Sequence, residues 1–183
     1  MLNLLFRPVS LIVAIFVVIL SFSSFASLGT NALCSHSFGK SITRNFYHVN
    51  LAHLGINLMA FNVLSRIEDI VGSGPYILLL FMLLLISSLL DFIANLIFPT
   101  LKCSIGFSGI LFGLLSWEMM ALHDFDPTAL LLLVVNVISP TLRDPKASLI
   151  GHSIGAIAGV IVAFFWDGID AKPTSPPKFT FSF

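Results

Sequence analysis

Between Val9 and Ala26 the chain runs for 18 residues without a charge, and between Tyr76 and Phe98 it carries a single one, Asp91. A helix of 18 residues is about 27 Å long, close to the ~30 Å hydrocarbon thickness of a bilayer. Such segments have no water-soluble surface to offer, and they recur along most of the chain. Only 10% of the residues are charged and 57% are hydrophobic, against about 25% charged in a soluble domain. In hydrocarbon every backbone polar group must be satisfied internally, which leaves helices as the natural solution for segments this apolar. The expected fold class is an all-α membrane protein, with the lipid bilayer as its surroundings. The formal net charge is zero and no basic run is present, so nucleic acid is not an expected partner.

The expected spans are 9–26, 48–67, 76–98, 105–122, 128–142 and 149–165, followed by a polar, proline-bearing tail over 167–183 that reads as disordered. The first span resembles a signal-peptide core but exceeds the ~7–15 residues usual there, and Ser24-Phe-Ala-Ser27 at its end keeps cleavage open as an alternative. Leu28 to Tyr47 reads as a loop, and Gly72-Ser73-Gly74-Pro75 as a turn. Arg66, Glu68 and Asp69 close the second span. The fifth is thin. From Thr128 to Ile138 it covers only about 17 Å, and Pro140 is expected to break it; counted out to Leu142 it reaches about 23 Å. Six spans place both termini on one side. The connections on that side carry Arg7, Arg66, Lys172 and Lys178, and those opposite carry Lys40, Arg44, Lys102, Arg143 and Lys146, so loop charge sets no orientation. Cys34 and Cys103 form no framework and no metal spacing. Nothing in the sequence sets an oligomeric state.

Polar side chains inside spans are costly and face the bundle interior. His53 and Asn57 are four apart and share one helical face, with His48 nearer the mouth of the same span. Gly151, Gly155, Gly159 and Ala163 repeat every fourth residue of the sixth span, a flat stripe on which another helix approaches to backbone contact, and His152 lies beside it. Gly106, Gly109 and Gly113 offer a matching stripe around Ser108 on the fourth span. The second, fourth and sixth spans run in the same direction, so His53, Asn57, Ser108 and His152 share one depth. A serine acts as a nucleophile when an imidazole takes its proton. His152 beside Ser108 supplies that base, and Asn57, His53 and the Ser108 backbone N–H supply donors for an oxyanion. This chemistry calls for no metal and no cofactor. Each residue also has a plain reading. A serine in a span bonds back to a carbonyl, a lone histidine or asparagine joins two helices, and glycine stripes are ordinary packing. Asp91 reads as a packing or water-cavity residue, Glu118 as interfacial, and His36 and His123 as loop histidines.

His48-x4-His53-x3-Asn57, Gly106-x-Ser108-Gly109 and Gly151-His152-x2-Gly155-x3-Gly159, in this order on alternate spans, resemble the rhomboid family of intramembrane serine proteases. The resemblance covers about Phe46 to Phe165. The ending Asp144-Pro145-x2-Ser148-x2-Gly151-His152 looks most like the small six-span rhomboids of fungal secretory membranes. The resemblance implies a six-helix rhomboid-like bundle with Ser108 as nucleophile and His152 as base, a dyad without a third acid. It implies His53 and Asn57 at the oxyanion site and His48 in support. It further implies cleavage of single-pass membrane proteins near the membrane boundary, entry of substrate past the fifth span, and a Golgi or endoplasmic reticulum membrane. Two features depart from the family pattern. Phe112 stands where many members have a tyrosine packed on the histidine, which keeps the stacking and loses a hydroxyl. The first loop lacks the Trp-Arg pair common in the family. The rival expectations are a rhomboid-fold protein that binds client transmembrane segments without cutting them, which loss of the serine or histidine would mark, and a small transporter or channel, which would line several spans with charges.

Overall fold

The computed structural model describes residues 6–27, 37–98, 104–122, 127–143 and 148–166. All regular structure among them is helical: α1 Pro8–Ser27, α2 Phe38–Thr43 continuing into a 3-10 turn Arg44–Phe46, α3 Leu51–Leu64, α4 Arg66–Val71, α5 Ser73–Ile97, α6 Ser108–Ala121, α7 Pro127–Arg143 and α8 Leu149–Trp166. By length and composition α5 and α8 are long and apolar enough to cross a membrane, while the apolar stretches Pro8–Ser23, Ser108–Ala121 and Leu131–Pro140 are shorter. The tail 167–183, Cys34, Cys103, His36 and His123 lie outside the described residues.

Packing is tightest between α6 and α8. A Cβ on Gly155 would land on the Gly109 carbonyl, and one on Gly159 would land on the Gly113 carbonyl. The partners rise together along both helices, so α6 and α8 run parallel and touch backbone to backbone. Ser116 Oγ donates across the seam to the Ala156 carbonyl at 2.8 Å. Leu83 of α5 closes over Gly113, where a Cβ would meet Leu83 Cδ2 at 2.9 Å. Further along the seam Trp117 and Trp166 meet edge to face, with ring centroids 5.0 Å apart. The main apolar core joins α6 to α3, α5 and α1 through Phe61, Leu79, Leu83, Ile110, Leu114 and Val17. Helix α7 is peripheral. It contributes Leu133 and Val137 to a small cluster with Ala156, against which Phe112, Leu115 and Met119 pack.

Several expectations are corrected. The expected turn Gly72–Pro75 is mostly helix: α5 starts at Ser73, because Gly72 alone takes the bend at φ 83° and Pro75 sits in the first turn, where no N–H is needed. The second span ends at Leu64, and Arg66, Glu68 and Asp69 belong to the separate helix α4. Pro140 does not end α7, which continues to Arg143. The expected loop 28–47 contains α2 from Phe38. Glu118, at the end of the fourth span, is not solvated. It is 1% exposed and pairs with Arg66 at 2.8 Å.

Charged groups knot the end of the bundle formed by α4 and the starts of α1 and α5. Both Glu68 oxygens accept two donors: Oε1 from the Val9 N–H at 3.0 Å and Ser73 Oγ at 2.7 Å, Oε2 from the Ser10 N–H at 2.9 Å and Ser10 Oγ at 2.7 Å. The carboxylate thus satisfies orphan N–H groups at the positive end of α1. Burial alone would push this carboxyl up, but the four hydrogen bonds outweigh it and hold it below its ordinary value. Arg7 bridges Asp69 and Ser65 beside it.

Two predictions follow from these contacts. Gly155→Leu should leave little folded protein in detergent, measured by size-exclusion recovery and thermal melting; a variant that melts like the wild type would contradict the backbone contact. Glu68→Gln turns an amide NH2 toward two of the four donors and should cost about 2 kcal/mol near neutral pH. A depressed carboxyl stabilises the fold above its unfolded value and loses that contribution as pH falls through the folded one. The melting temperature of the wild type should therefore drop below about pH 4, and that of E68Q should drop less.

Candidate active site

The site is built at the end of the bundle opposite Glu68. Gly106 has a φ of 127°, a conformation that side chains rarely adopt. It also lies under the His53 ring, where a Cβ would sit 2.7 Å from His53 Cε1, 3.1 Å from Nε2 and 3.7 Å from Asn57 Nδ2. Glycine is needed there twice over, for the turn and for the close approach. This corrects one expectation: Gly106 is not part of the α6 stripe, which begins at Gly109. The turn delivers Ser108 as the first residue of α6, half-buried. The first N–H groups of a helix have no partner within it, and they carry its positive end.

His152 lies on the first turn of α8. Ser148 Oγ accepts the Gly151 N–H at 3.0 Å and the Ser148 carbonyl accepts the His152 N–H at 3.0 Å, which starts the helix. Gly109, next to Ser108, faces the carbonyl of Gly151, next to His152; a Cβ on Gly109 would sit 3.6 Å from that oxygen. Phe112, one turn beyond Ser108, lies against the imidazole with ring centroids 4.5 Å apart and planes at 36°. The ring is 6% exposed, and its Nδ1 is buried without a hydrogen bond.

From α3 come His53 and Asn57, one turn apart and both at the Gly106 turn. The Asn50 side chain caps α3 by accepting the His53 N–H at 2.8 Å. Asn57 is 4% exposed, and its Nδ2 is buried with no partner. A buried amide donor left unmade costs about 1–3 kcal/mol, so such a group marks a place where an acceptor is expected. His48 lies behind His53, with ring centroids 5.1 Å apart, and accepts the Phe107 N–H on its Nε2 at 3.4 Å. The structure therefore brings His48, His53, Asn57, Ser108, Phe112 and His152 together around one turn. Gly151, Gly155 and Gly159, with Gly109 and Gly113, set the spacing of the helices that carry them.

The Rhomboid domain family model matches residues 36–166. The chain belongs to the rhomboid family. It is also similar to the protein named "Putative rhomboid protein L523" of Acanthamoeba polyphaga mimivirus, with 32% identity over 156 residues, covering 85% of this chain and 88% of that protein. Rhomboids are integral membrane proteins, and their characteristic activity is intramembrane serine proteolysis.

In this rhomboid two supporting residues, Arg44 and Asn45, were not singled out by sequence reasoning. Arg44 is 3% exposed and pairs with Asp91 of α5, the acid read from sequence as a packing or water-cavity residue. Its Nη2 also donates to Ser41 Oγ at 2.9 Å, and its carbonyl accepts the Gly106 N–H at 3.0 Å. Asn45 donates to the Ser41 carbonyl at 2.8 Å and to Ser88 Oγ at 3.2 Å. A basic residue in the loop and an acid in the third span, 47 residues apart, were the only signal. Ser41, Arg44, Asn45 and Asp91 line a small polar cavity of about 20 Å³ at the Gly106 turn together with Ser104 and Gly151, room for a water molecule.

Asp91→Ala should leave the Arg44 guanidinium buried without its counter-charge and destabilise the protein by about 3 kcal/mol or more, read as a loss of melting temperature. Asp91→Asn, which keeps one acceptor, should lose less. Equal melting of D91A and wild type would show that the pair does not hold α2 in place.

Proposed function

We propose that this rhomboid is an active six-span intramembrane serine protease whose nucleophile is Ser108 and whose base is His152. The observation that carries the reading is the convergence on the Ser108 turn of an imidazole packed by Phe112 and a buried, unpartnered amide donor, Asn57 Nδ2. Donors also stand unmade in the helix seam, at Trp117 Nε1 and Trp166 Nε1; what distinguishes Asn57 Nδ2 is its place beside the His53 ring at the Gly106 turn, two residues before the serine. A nucleophile, a base and a donor waiting for an acceptor are the parts that acyl transfer requires.

In this reading Ser108 Oγ attacks the carbonyl carbon of the scissile peptide as His152 takes its proton. The carbonyl oxygen becomes an oxyanion and accepts hydrogen bonds from Asn57, His53 and the Ser108 backbone N–H. Collapse breaks the C–N bond, and His152 returns the proton to the leaving amine. Water then attacks the acyl-serine with His152 again as base, releasing the carboxylate product. No metal or cofactor enters. Phe112 holds the imidazole by stacking. The substrate class is single-pass transmembrane proteins cut near the membrane boundary, and the compartment is a secretory-pathway membrane, Golgi or endoplasmic reticulum. Co-localisation of a tagged chain with markers of both tests the compartment.

The test of the chemistry is labelling of detergent-purified protein with a fluorophosphonate, together with cleavage of a panel of single-pass membrane proteins. Wild type should label and cleave. Ser108→Ala should do neither while melting like wild type, His152→Ala should lose labelling, and Asn57→Ala should lose about 10²–10³ in cleavage rate. Labelling that persists in S108A would overturn the dyad. No labelling of folded wild type would favour the client-binding reading instead.

A further inference from the structure

Buried at the root of the site is a chain of hydrogen bonds that starts on the first helix. Ser21 of α1 is wholly buried and His48 is 3% exposed. Ser21 Oγ lies 2.8 Å from His48 Nδ1, 2.7 Å from the Val17 carbonyl and 3.1 Å from the Phe46 carbonyl. On the other side of the ring, the Phe107 N–H points at His48 Nε2 at 3.4 Å.

The proton positions follow from the partners. A backbone N–H only donates, so Nε2 must present its lone pair and carry no hydrogen. The neutral imidazole then holds its proton on Nδ1, which donates to Ser21 Oγ. The serine hydroxyl passes its own hydrogen to a carbonyl, Val17 or Phe46. Each donor has an acceptor, and the opposite tautomer would turn a buried N–H against the Phe107 N–H. The histidine tautomer is fixed, and the far end of the chain is the residue before Ser108.

We propose that Ser21 and His48 are positioning residues for the nucleophile: Ser21 Oγ accepts the Nδ1–H of His48 and seats its ring, and His48 Nε2 holds the Phe107 N–H and thereby sets where Ser108 enters α6. This rests on the reading of Ser108 as the nucleophile. It gives the first helix a part in the active site through Ser21. With the Gly106 N–H held by the Arg44 carbonyl at 3.0 Å, the two peptide N–H groups before Ser108 are both tied down. The serine is presented on a turn with little freedom left, and preorganisation of this kind matters because a misplacement of about 1 Å costs about 10² in rate.

Two substitutions at His48 separate positioning from simple filling of space. His48→Gln reaches the Nε2 position with its amide oxygen and still accepts the Phe107 N–H. His48→Asn reaches only the Nδ1 position, keeps a donor to Ser21 and loses the acceptor. Both are neutral and polar. Fluorophosphonate labelling of H48Q should stay within about tenfold of wild type and that of H48N should fall about 10²-fold, at equal melting temperatures. Equal labelling of two folded variants, with wild type active, would overturn the proposal while leaving the dyad intact; an inactive wild type would instead remove the dyad. If H48N does not fold, 15N spectra of the histidines in wild type decide. A pyrrole-like Nδ1 and pyridine-like Nε2 at His48 are expected, and the reverse pattern overturns the proposal.

Discussion

The contact on which the molecule depends is backbone against backbone. Gly155 lies on the Gly109 carbonyl and Gly159 on the Gly113 carbonyl, so α6 and α8 are nearer than any side chain would allow. In lipid there is no hydrophobic gain from bringing two apolar helices together, and association rests on van der Waals contact and hydrogen bonds. Glycine maximises both by letting the backbones themselves meet, and Ser116 adds one bond across the seam. The same closeness has a chemical consequence. It puts Gly109 against Gly151, and therefore places Ser108 and His152, their immediate neighbours, on adjoining first turns. The packing that holds the bundle and the geometry that the proposed reaction would use are one arrangement.

Two polar structures secure the two ends of that bundle. At one, Glu68 gathers four donors from α1 and α5, with Arg7–Asp69 and Arg66–Glu118 beside it. At the other, Arg44 ties α2 to α5 through Asp91 and offers its carbonyl to Gly106. These charges lie near helix ends, where desolvation is milder than at mid-membrane. They do what apolar packing in a membrane cannot, since lipid tails compete with every leucine contact but not with an ion pair. The Ser108 turn hangs between them, held by the Arg44 carbonyl on one side and by His48 on the other.

What remains polar and unmet is as informative as what is bonded. Asn57 Nδ2 and His152 Nδ1 are buried without partners among the described residues, while the surrounding Arg44, Asn45, Ser41 and Ser88 are bonded to one another. Tyr76 Oη, Trp117 Nε1 and Trp166 Nε1 also lack hydrogen-bond partners among the described residues; what sets Asn57 and His152 apart is that both lie at the Ser108 turn, where the proposed reaction would bring a carbonyl. Phe112 in place of a tyrosine fits this picture without strain, because its ring stacks on His152 through its face and the stacking needs no hydroxyl.

The sequence by itself determined the all-helical membrane class, because segments this apolar have no other way to satisfy their backbones. It also determined the α8 stripe and the group His53, Asn57, Ser108 and His152, since a period of four residues and a common direction of alternate helices are visible in spacing alone. Helix ends were less legible. Gly72 and Pro75 read as a turn yet allow α5 to start at Ser73, Pro140 passes inside α7, and the polar stretch before Tyr47 holds α2, because each outcome was settled by packing rather than by local preference. Gly106 looked like one more stripe residue, and only its φ of 127° and the His53 ring above it show that it makes the turn. Tertiary structure alone decided the partners of the isolated polar groups, Arg44 with Asp91, Arg66 with Glu118, and Ser21 with His48. These pairs lie 27 to 52 residues apart. Such distances follow no local period, so the pairing exists only once the helices have packed.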